Sequence, residues 1–387
     1  MKVAVFTDTY LPQINGVTAY LSNSLKLLSK KHDVVLFAPG GKKLRTERAS
    51  KRFRIYWIPA KAFPFYEGYR MSSVDYKRIS ELLKKEKPDI VHAHAPVLLG
   101  LQGLIAAKRR DIPAVVTYHT HFPDYVPHLL NGKLPKPFAE ISGHTVKQLI
   151  NHVFKMADAV TAPTRELVNE LSSYGLSNAV YLPNGVELKR FRKDRKKAAA
   201  FRKRFGISGD KKVILYLGRI SFEKRIDVLL EAFKMIEKPD RVLVIAGKGP
   251  YLDELKELAE GLELSNVIFT GYLKDISPAY ATADIFASAS DTETFGLTFV
   301  EAMHTGLPAV GVRRLGAKEI IRNGKNGILV KPGDTGAFAR AMEKLLKNSA
   351  MRKRMGKEAL RDSEKYSLEE SVDKTIKLYR KLVKRGG

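Results

Sequence analysis

The 387 residues contain no cysteine, which excludes disulfides and thiolate metal sites. Long apolar runs are missing as well. No stretch approaches the roughly 18 residues that a membrane-spanning helix requires. The opening "MKVAVFTDTY" passes directly into a strand-like pattern containing polar residues, so the layout of a signal peptide is absent and a cytoplasmic location is expected. Acidic residues are scarce, 41 against 68 basic ones, which leaves a net charge of +27. Such an excess attracts polyanions, either a nucleic-acid backbone or a membrane surface rich in acidic lipids. No zinc-finger, helix-turn-helix or RRM-type aromatic signature accompanies the charge, so no nucleic-acid partner is expected. Short-period repeats and low-complexity tracts are also lacking.

What is present is a globular composition, 44% hydrophobic and 28% charged, in a chain long enough for two domains with separate cores. The basic excess gathers in residues 42–54 ("KKLRTERASKRFR"), in residues 189–204 ("KRFRKDRKKAAAFRKR") and in the last forty residues. The competing reading of each cluster is a solvated basic face without a specific partner.

Apolar, β-branched runs such as "KVAVFTD", "DVVLFAP", "DIVHAHAP", "KVILYLG" and "RVLVIAG" alternate with helix-length amphipathic segments. Near-continuous apolar runs separated by helices predict α/β units of doubly wound type, with parallel strands covered on both faces. The pattern halts and restarts at "LPNGVELKRF" (182–191). Domains are therefore expected at 1–182 and 192–365, joined by a linker at 183–191. A final helix is expected at 366–387, either packing back on the first domain or closing the second. Open parallel sheets bind ligands beyond the carboxyl ends of their strands. There lie "TDTYLPQINGV", "YHTHFPDY", "GRISFEKR", "AGKGPY" and "SASDTETFGL", as a cleft between two facing domains would require.

The E-x7-E pair Glu293 and Glu301 in "DTETFGLTFVEAM", with "GRISFEK" upstream and the "INGV" loop near the N-terminus, resembles the retaining glycosyltransferases of family 4 type. The resemblance covers the whole chain. It implies two Rossmann-like domains facing each other across a cleft (GT-B), the first binding the acceptor and the second the nucleotide sugar. "FTDTYLPQINGV" together with "YHTHFPDYVP" is most similar to enzymes that glycosylate diacylglycerol or phosphatidylinositol. The activity so implied is metal-independent transfer of a hexose to a lipid acceptor, with retention, by an enzyme peripheral on the inner face of the cell membrane. The donor implied is a nucleoside diphosphate sugar, a UDP-sugar ahead of a GDP-sugar, and no cofactor is called for.

Arg219 and Lys224, in G-R-x4-K after a strand, supply donors and positive charge suited to a diphosphate and to the charge that develops on the leaving group. Lys248 in "AGKGP" is a weaker neighbour. Gly296 permits close backbone approach, and the helix expected to start after it would turn the amides of Leu297 and Thr298 toward a phosphate. Glu301 is expected near the first turn of that helix, where the resemblance assigns it the ribose diol. Glu293 is assigned the hydroxyls of the donor sugar, since a carboxylate accepts from two vicinal hydroxyls at once. Phe295 and the Leu297 side chain read as core or pocket wall.

Gly16 opens a helix whose amides suit the diphosphate, with a purely structural Asn15–Gly16 turn as the competing reading. The resemblance places His119 near the sugar hydroxyls and the anomeric carbon; a hydrogen-bonded strand-end histidine is the bland alternative. His121, Asp124 and Tyr125 are candidates for the acceptor side. His92 and His94 read as structural, and no third ligand accompanies them that would make a zinc site. The alternatives to lipid glycosylation are a soluble sugar or polysaccharide acceptor, a sugar-nucleotide epimerase on the same frame, and a hydrolase using Glu293 and Glu301 as acid and base. The glycine-initiated helix between the two acids argues against the last.

Overall fold

The parallel strands expected from the apolar runs form two separate sheets. The computed structural model describes residues 1–13, 15–62, 70–94, 96–121 and 143–386. Its contacts divide the chain into two units, Met1–Gly185 together with Leu368–Gly387, and Val186–Ser367.

The first unit begins with β1 (Lys2–Thr7), β2 (Asp33–Pro39), β3 (Arg45–Ser50) and β4 (Phe53–Ile58). A small ribbon of β5 (Ala60–Ala62) and β6 (Arg70–Ser72) follows. Then come β7 (Ile90–His94), β8 (Ala114–Thr117), β9 (Ala159–Ala162) and β10 (Ala179–Tyr181). Eight of these form one sheet in the order β10-β9-β8-β7-β1-β2-β4-β3, parallel except for β3. Val3 to Phe6 of β1 are fully buried, as a central strand covered on both faces must be. The strand order reverses at β1, so the ends of β1 and β7 frame the switch point.

β3 was not legible as a strand. It lies inside the basic stretch 42–54, and "RTERAS" is exposed apart from half-buried Glu47. It runs antiparallel on the outside of β4, with Glu47 opposite Ile55. Charged side chains along an edge strand discourage pairing with another chain, which accounts for a strand without an apolar face. Trp57 of β4 donates its indole N–H to Glu47 at 2.8 Å, and Arg45 lies 5.3 Å from the Trp57 ring centroid.

The amino ends of the central strands carry a structural ion cluster. Glu86 is 3% exposed and receives the Tyr56 hydroxyl at 2.7 Å, the Lys2 ammonium at 3.2 Å and the Arg54 guanidinium. The functional candidates lie at the other ends of the strands. The helix Leu368–Gly386 belongs to this first unit and packs along the helix Gly16–Leu28, where the Tyr20 and Ser371 hydroxyls are 3.2 Å apart.

The second unit carries β11 (Lys212–Leu217), β12 (Arg241–Ala246), β13 (Val267–Gly271), β14 (Ile285–Ser288), β15 (Ala309–Val312) and β16 (Gly327–Val330). All six are parallel in the order β13-β12-β11-β14-β15-β16, the Rossmann arrangement, with its switch point between β11 and β14. Alternate residues of β11 enter opposite cores. Val213 and Leu215 pack with Phe286 and Phe299, while Ile214 and Tyr216 pack with Leu243 and Ile245. Residues 183–191, expected as a linker, are divided between the units. Val186, Leu188 and Phe191 are buried in the second core, and the Val186 N–H donates to the Tyr366 carbonyl at 3.0 Å.

Candidate active site

In the second unit, two loops meet at the switch point. After β11 the chain runs through Gly218 and half-buried Arg219 into a short turn at Phe222–Lys224. The Tyr216 hydroxyl fixes this loop by donating to the Arg219 carbonyl at 3.0 Å. After β14, Thr292 donates to the Glu223 carbonyl at 3.2 Å, and the Lys224 ammonium lies 2.7 Å from Glu293 Oε1. Both members of that ion pair are about four-fifths buried, with side chains 19% and 24% exposed. Lys248 sits on the neighbouring loop, and its carbonyl accepts the Ile220 N–H at 2.9 Å. That approach requires Gly249, where a Cβ would fall 1.9 Å from the Ile220 carbonyl oxygen.

Gly296 adopts φ 87°, a left-handed conformation natural to glycine, and caps the helix Leu297–His304. A glycine cap brings no side chain to satisfy the first amides, those of Leu297 and Thr298. Phe295 is buried in the core and Leu297 packs against it, as their apolar character implied. Glu301 is the fifth residue of the helix, directly after its first turn. It accepts the Tyr280 hydroxyl at 2.7 Å, and burial pushes its carboxyl up to about 7 against the opposing pull of that hydroxyl and of Arg190. Glu293 and Glu301 thus have separate partners, Lys224 and Tyr280. Nothing in the sequence marked Tyr280, which arrives from the distant helix Ser277–Thr282.

In the first unit, the Asn15 side chain caps the helix Gly16–Leu28 by accepting the Thr18 N–H at 2.8 Å, and its amide donates to Thr9 at 2.9 Å. Asn15 is therefore a structural cap, and Gly16 is the first residue of the helix. Asp8, just beyond β1, went unnoticed in the sequence. Its buried carboxylate accepts the N–H groups of Val97, Leu98, Leu99 and Gly100 at 2.7–3.1 Å, closing the start of the helix Leu99–Lys108. Burial raises the Asp8 carboxyl while those four amides pull it down.

His119 follows β8 and is 4% exposed. Its Nε2 is 2.8 Å from His94 Nδ1, and the His94 ring lies against His92 with centroids 3.8 Å apart and planes tilted by 35°. Burial lowers His92 and His119 to about 3 and His94 well below its ordinary value, so all three imidazoles are neutral at physiological pH. The spacing of "HAH" placed two rings on one strand face, but the strand register that adds the third was not readable. His121 lies apart from this cluster, 2.9 Å from Glu170. Asp124 and Tyr125 fall outside the described residues, as do Ile14 of the "INGV" loop and residues 63–69. Among the described residues, no group of three or more His, Asp or Glu is arranged to hold a metal ion.

Residues 14–190 match the model described as glycosyltransferase family 4, and residues 197–362 match the model of glycosyl transferases group 1. An alpha-monoglucosyldiacylglycerol synthase from Streptococcus pneumoniae is 34% identical over 320 residues, covering 80% of this chain and 70% of that protein. The chain belongs to the family 4 glycosyltransferases. A second relative of this glycosyltransferase is the GDP-mannose-dependent alpha-mannosyltransferase of Corynebacterium glutamicum, 30% identical over 85% of this chain and 76% of that protein. Among solved structures, Anabaena HepE in complex with UDP-glucose superposes with a TM-score of 0.78 at 19% identity, covering 99% of this chain and all of the other. That likeness establishes the GT-B fold with its two Rossmann-like units. Among the described residues, no helix of this glycosyltransferase is long and apolar enough to cross a membrane.

Proposed function

We propose that this glycosyltransferase moves a hexose, with retention, from a UDP-sugar to a diacylglycerol-like lipid at an anionic membrane surface. For the acceptor, the supporting observation is the 34% identity to a monoglucosyldiacylglycerol synthase. For the donor, it is the Lys224–Glu293 ion pair beside the glycine-opened helix, at the switch point of a sheet with Rossmann order.

The chemistry assigned to the site follows from its groups. Arg219 and Lys224 neutralise the diphosphate, whose charge grows as the glycosidic bond breaks. The amides of Leu297 and Thr298 add the positive end of a helix dipole. A diphosphate that takes up the Lys224 ammonium frees Glu293 to accept from vicinal sugar hydroxyls. Glu301, one turn along the helix, takes the ribose diol. In the first unit, Gly16 is assigned to the diphosphate. Neutral His119 is assigned to a sugar hydroxyl, where an imidazole of low basicity serves as a hydrogen-bonding group and not as a cation. No side chain is assigned as a covalent nucleophile. Retention then follows from same-face substitution, with the departing phosphate accepting the acceptor's proton.

The second reading keeps the donor site and replaces the lipid with a soluble sugar acceptor. Incubating the enzyme with UDP-glucose, UDP-galactose and GDP-mannose, each with vesicle-borne diacylglycerol or a soluble inositol phosphate, separates the readings. Nucleotide release and product formation only with diacylglycerol is expected. Transfer confined to the soluble acceptor overturns the lipid assignment, and transfer only from GDP-mannose overturns the UDP assignment.

A further inference from the structure

Three buried histidines occupy the carboxyl ends of β7 and β8, yet the proposed chemistry uses only His119. The other two form a connected path from His119 to the terminal helix. His94 contacts His119 through a ring nitrogen at 2.8 Å, and the His92 ring lies against His94 with their planes tilted by 35°. The His92 Nδ1 is hydrogen-bonded to the Tyr379 hydroxyl, and its Nε2 lies 2.6 Å from Thr117 Oγ1. Tyr379 is fully buried on the helix Leu368–Gly386 and sits edge-on to the His92 ring.

The hydroxyl protons along this path set its direction. Thr161 donates to the Val116 carbonyl at 3.3 Å, which leaves its oxygen to accept from Thr117 at 2.7 Å. Thr117, having donated, accepts from His92 Nε2–H. His92 Nδ1 then carries a lone pair, and the Tyr379 hydroxyl is its donor. Thr117 sets the tautomer of His92, and the Tyr379 phenol anchors the other side of the ring and so fixes its orientation. The close ring contact transmits that orientation to His94, which stacks on His119 at 20° and whose hydrogen bond to His119 Nε2 gives the two nitrogens of His119 opposite roles. A second contact comes from Tyr20, whose ring centroid lies 5.8 Å from that of His119 and whose hydroxyl rests against Ser371 of the same terminal helix.

We propose that Tyr379 is a positioning residue for His119, acting through His92 and His94, so that the terminal helix bears on the orientation of His119. The proposal rests on the assignment of His119 to the donor sugar. Tyr379→Phe removes one hydroxyl and keeps the ring. Its kcat is expected to fall roughly tenfold, with KM for the donor little changed, because orientation and not binding is lost. In a His119→Ala background the same substitution should have no further effect, since the path then ends on nothing. Imidazole nitrogen shifts of histidine-labelled protein should show His119 in a single tautomer in the parent and as an averaged mixture in Tyr379→Phe. A purely structural Tyr379 would lower kcat by the same factor in both backgrounds and leave the His119 tautomer fixed, and either result overturns the proposal. Parent-like turnover of His119→Ala would instead overturn the catalytic assignment of His119. The nitrogen shifts then decide positioning alone, an unchanged His119 pattern refuting it and an averaged one supporting it.

Discussion

Lys224 and Glu293 lie 69 positions apart in sequence and 2.7 Å apart in space, joining the loops that follow β11 and β14. The contact places a cation and an acid of complementary use side by side at the carboxyl ends of the central strands. Replacing Lys224 or Arg219 with Ala is expected to lower kcat roughly a hundredfold or more, the scale of losing a preorganised group at a developing negative charge. Melting temperature should change little for Arg219→Ala, whereas Lys224→Ala leaves the mostly buried Glu293 carboxylate without that ammonium and should lower it. Steady-state turnover with the best donor provides the check, and near-normal rates for both variants would refute the diphosphate assignment.

The two acids of the E-x7-E pair should fail differently. Glu301→Ala is expected to weaken binding of the free nucleoside diphosphate, because the ribose is the group assigned to it. Glu293→Ala should spare that ligand and impair the intact nucleotide sugar. Calorimetric titration of each variant with both ligands separates the two, and equal losses everywhere would end the division of labour.

The raised carboxyl of Glu301 gives a pH signature. With a value of about 7, set by burial, the group loses its charge as pH falls through neutrality. A neutral carboxyl accepts less well from a diol, so nucleotide affinity is expected to decline between pH 8 and pH 6. Glu301→Gln should flatten the decline, and comparing the two proteins cancels the ligand's own titration. The sign for stability is the same for any acid raised on folding. The favourable contribution is fully present below the unfolded-state value and is lost as pH rises through about 7, so Glu301→Gln should gain stability over the parent at pH 8.

Membrane docking should depend on salt. The β3 hairpin and the helix Arg195–Arg204 present basic side chains to solvent, among them Arg45, Arg48, Lys51, Arg195, Lys196 and Lys203. Each residue near an acidic surface contributes about 1 kcal/mol, within a Debye length of about 8 Å at physiological salt. Co-sedimentation with phosphatidylglycerol vesicles is expected at low salt, fading as salt rises, and should be weak with neutral lipid. Equal partitioning onto both, or none onto either, favours the soluble-acceptor reading. Trp57, beside the β3 hairpin, is held by Glu47 and Arg45, which leaves it poorly suited to shallow insertion in a bilayer.

Sequence made the buried strands plain because parallel strands covered on both faces read as unbroken apolar runs. β3 escaped for the opposite reason, since an edge strand is protected by the same charges that hide its pattern. Residues 183–191 looked like a linker because Pro183, Asn184 and Gly185 break the pattern, but the hydrophobes Val186, Leu188 and Phe191 fold into the second core. Lys224, Gly296 and the two glutamates stood out because their chemistry is carried by short motifs. Other residues did not. Tyr280, Asp8 and Tyr379 are ordinary residues at ordinary spacings, and each gains its role from strand order and helix placement that bring distant segments together.

The terminal helix also bears on how the protein is made. Tyr20 and His92 belong to segments that leave the ribosome early, while Ser371 and Tyr379, which complete their hydrogen bonds, are synthesised after the entire second unit. The first sheet can assemble on the ribosome, but its histidine end waits with buried polar groups unmet until the last helix emerges. The second unit, continuous in sequence from Val186 to Ser367, has no such delay. The half of the chain translated first is therefore the half completed last.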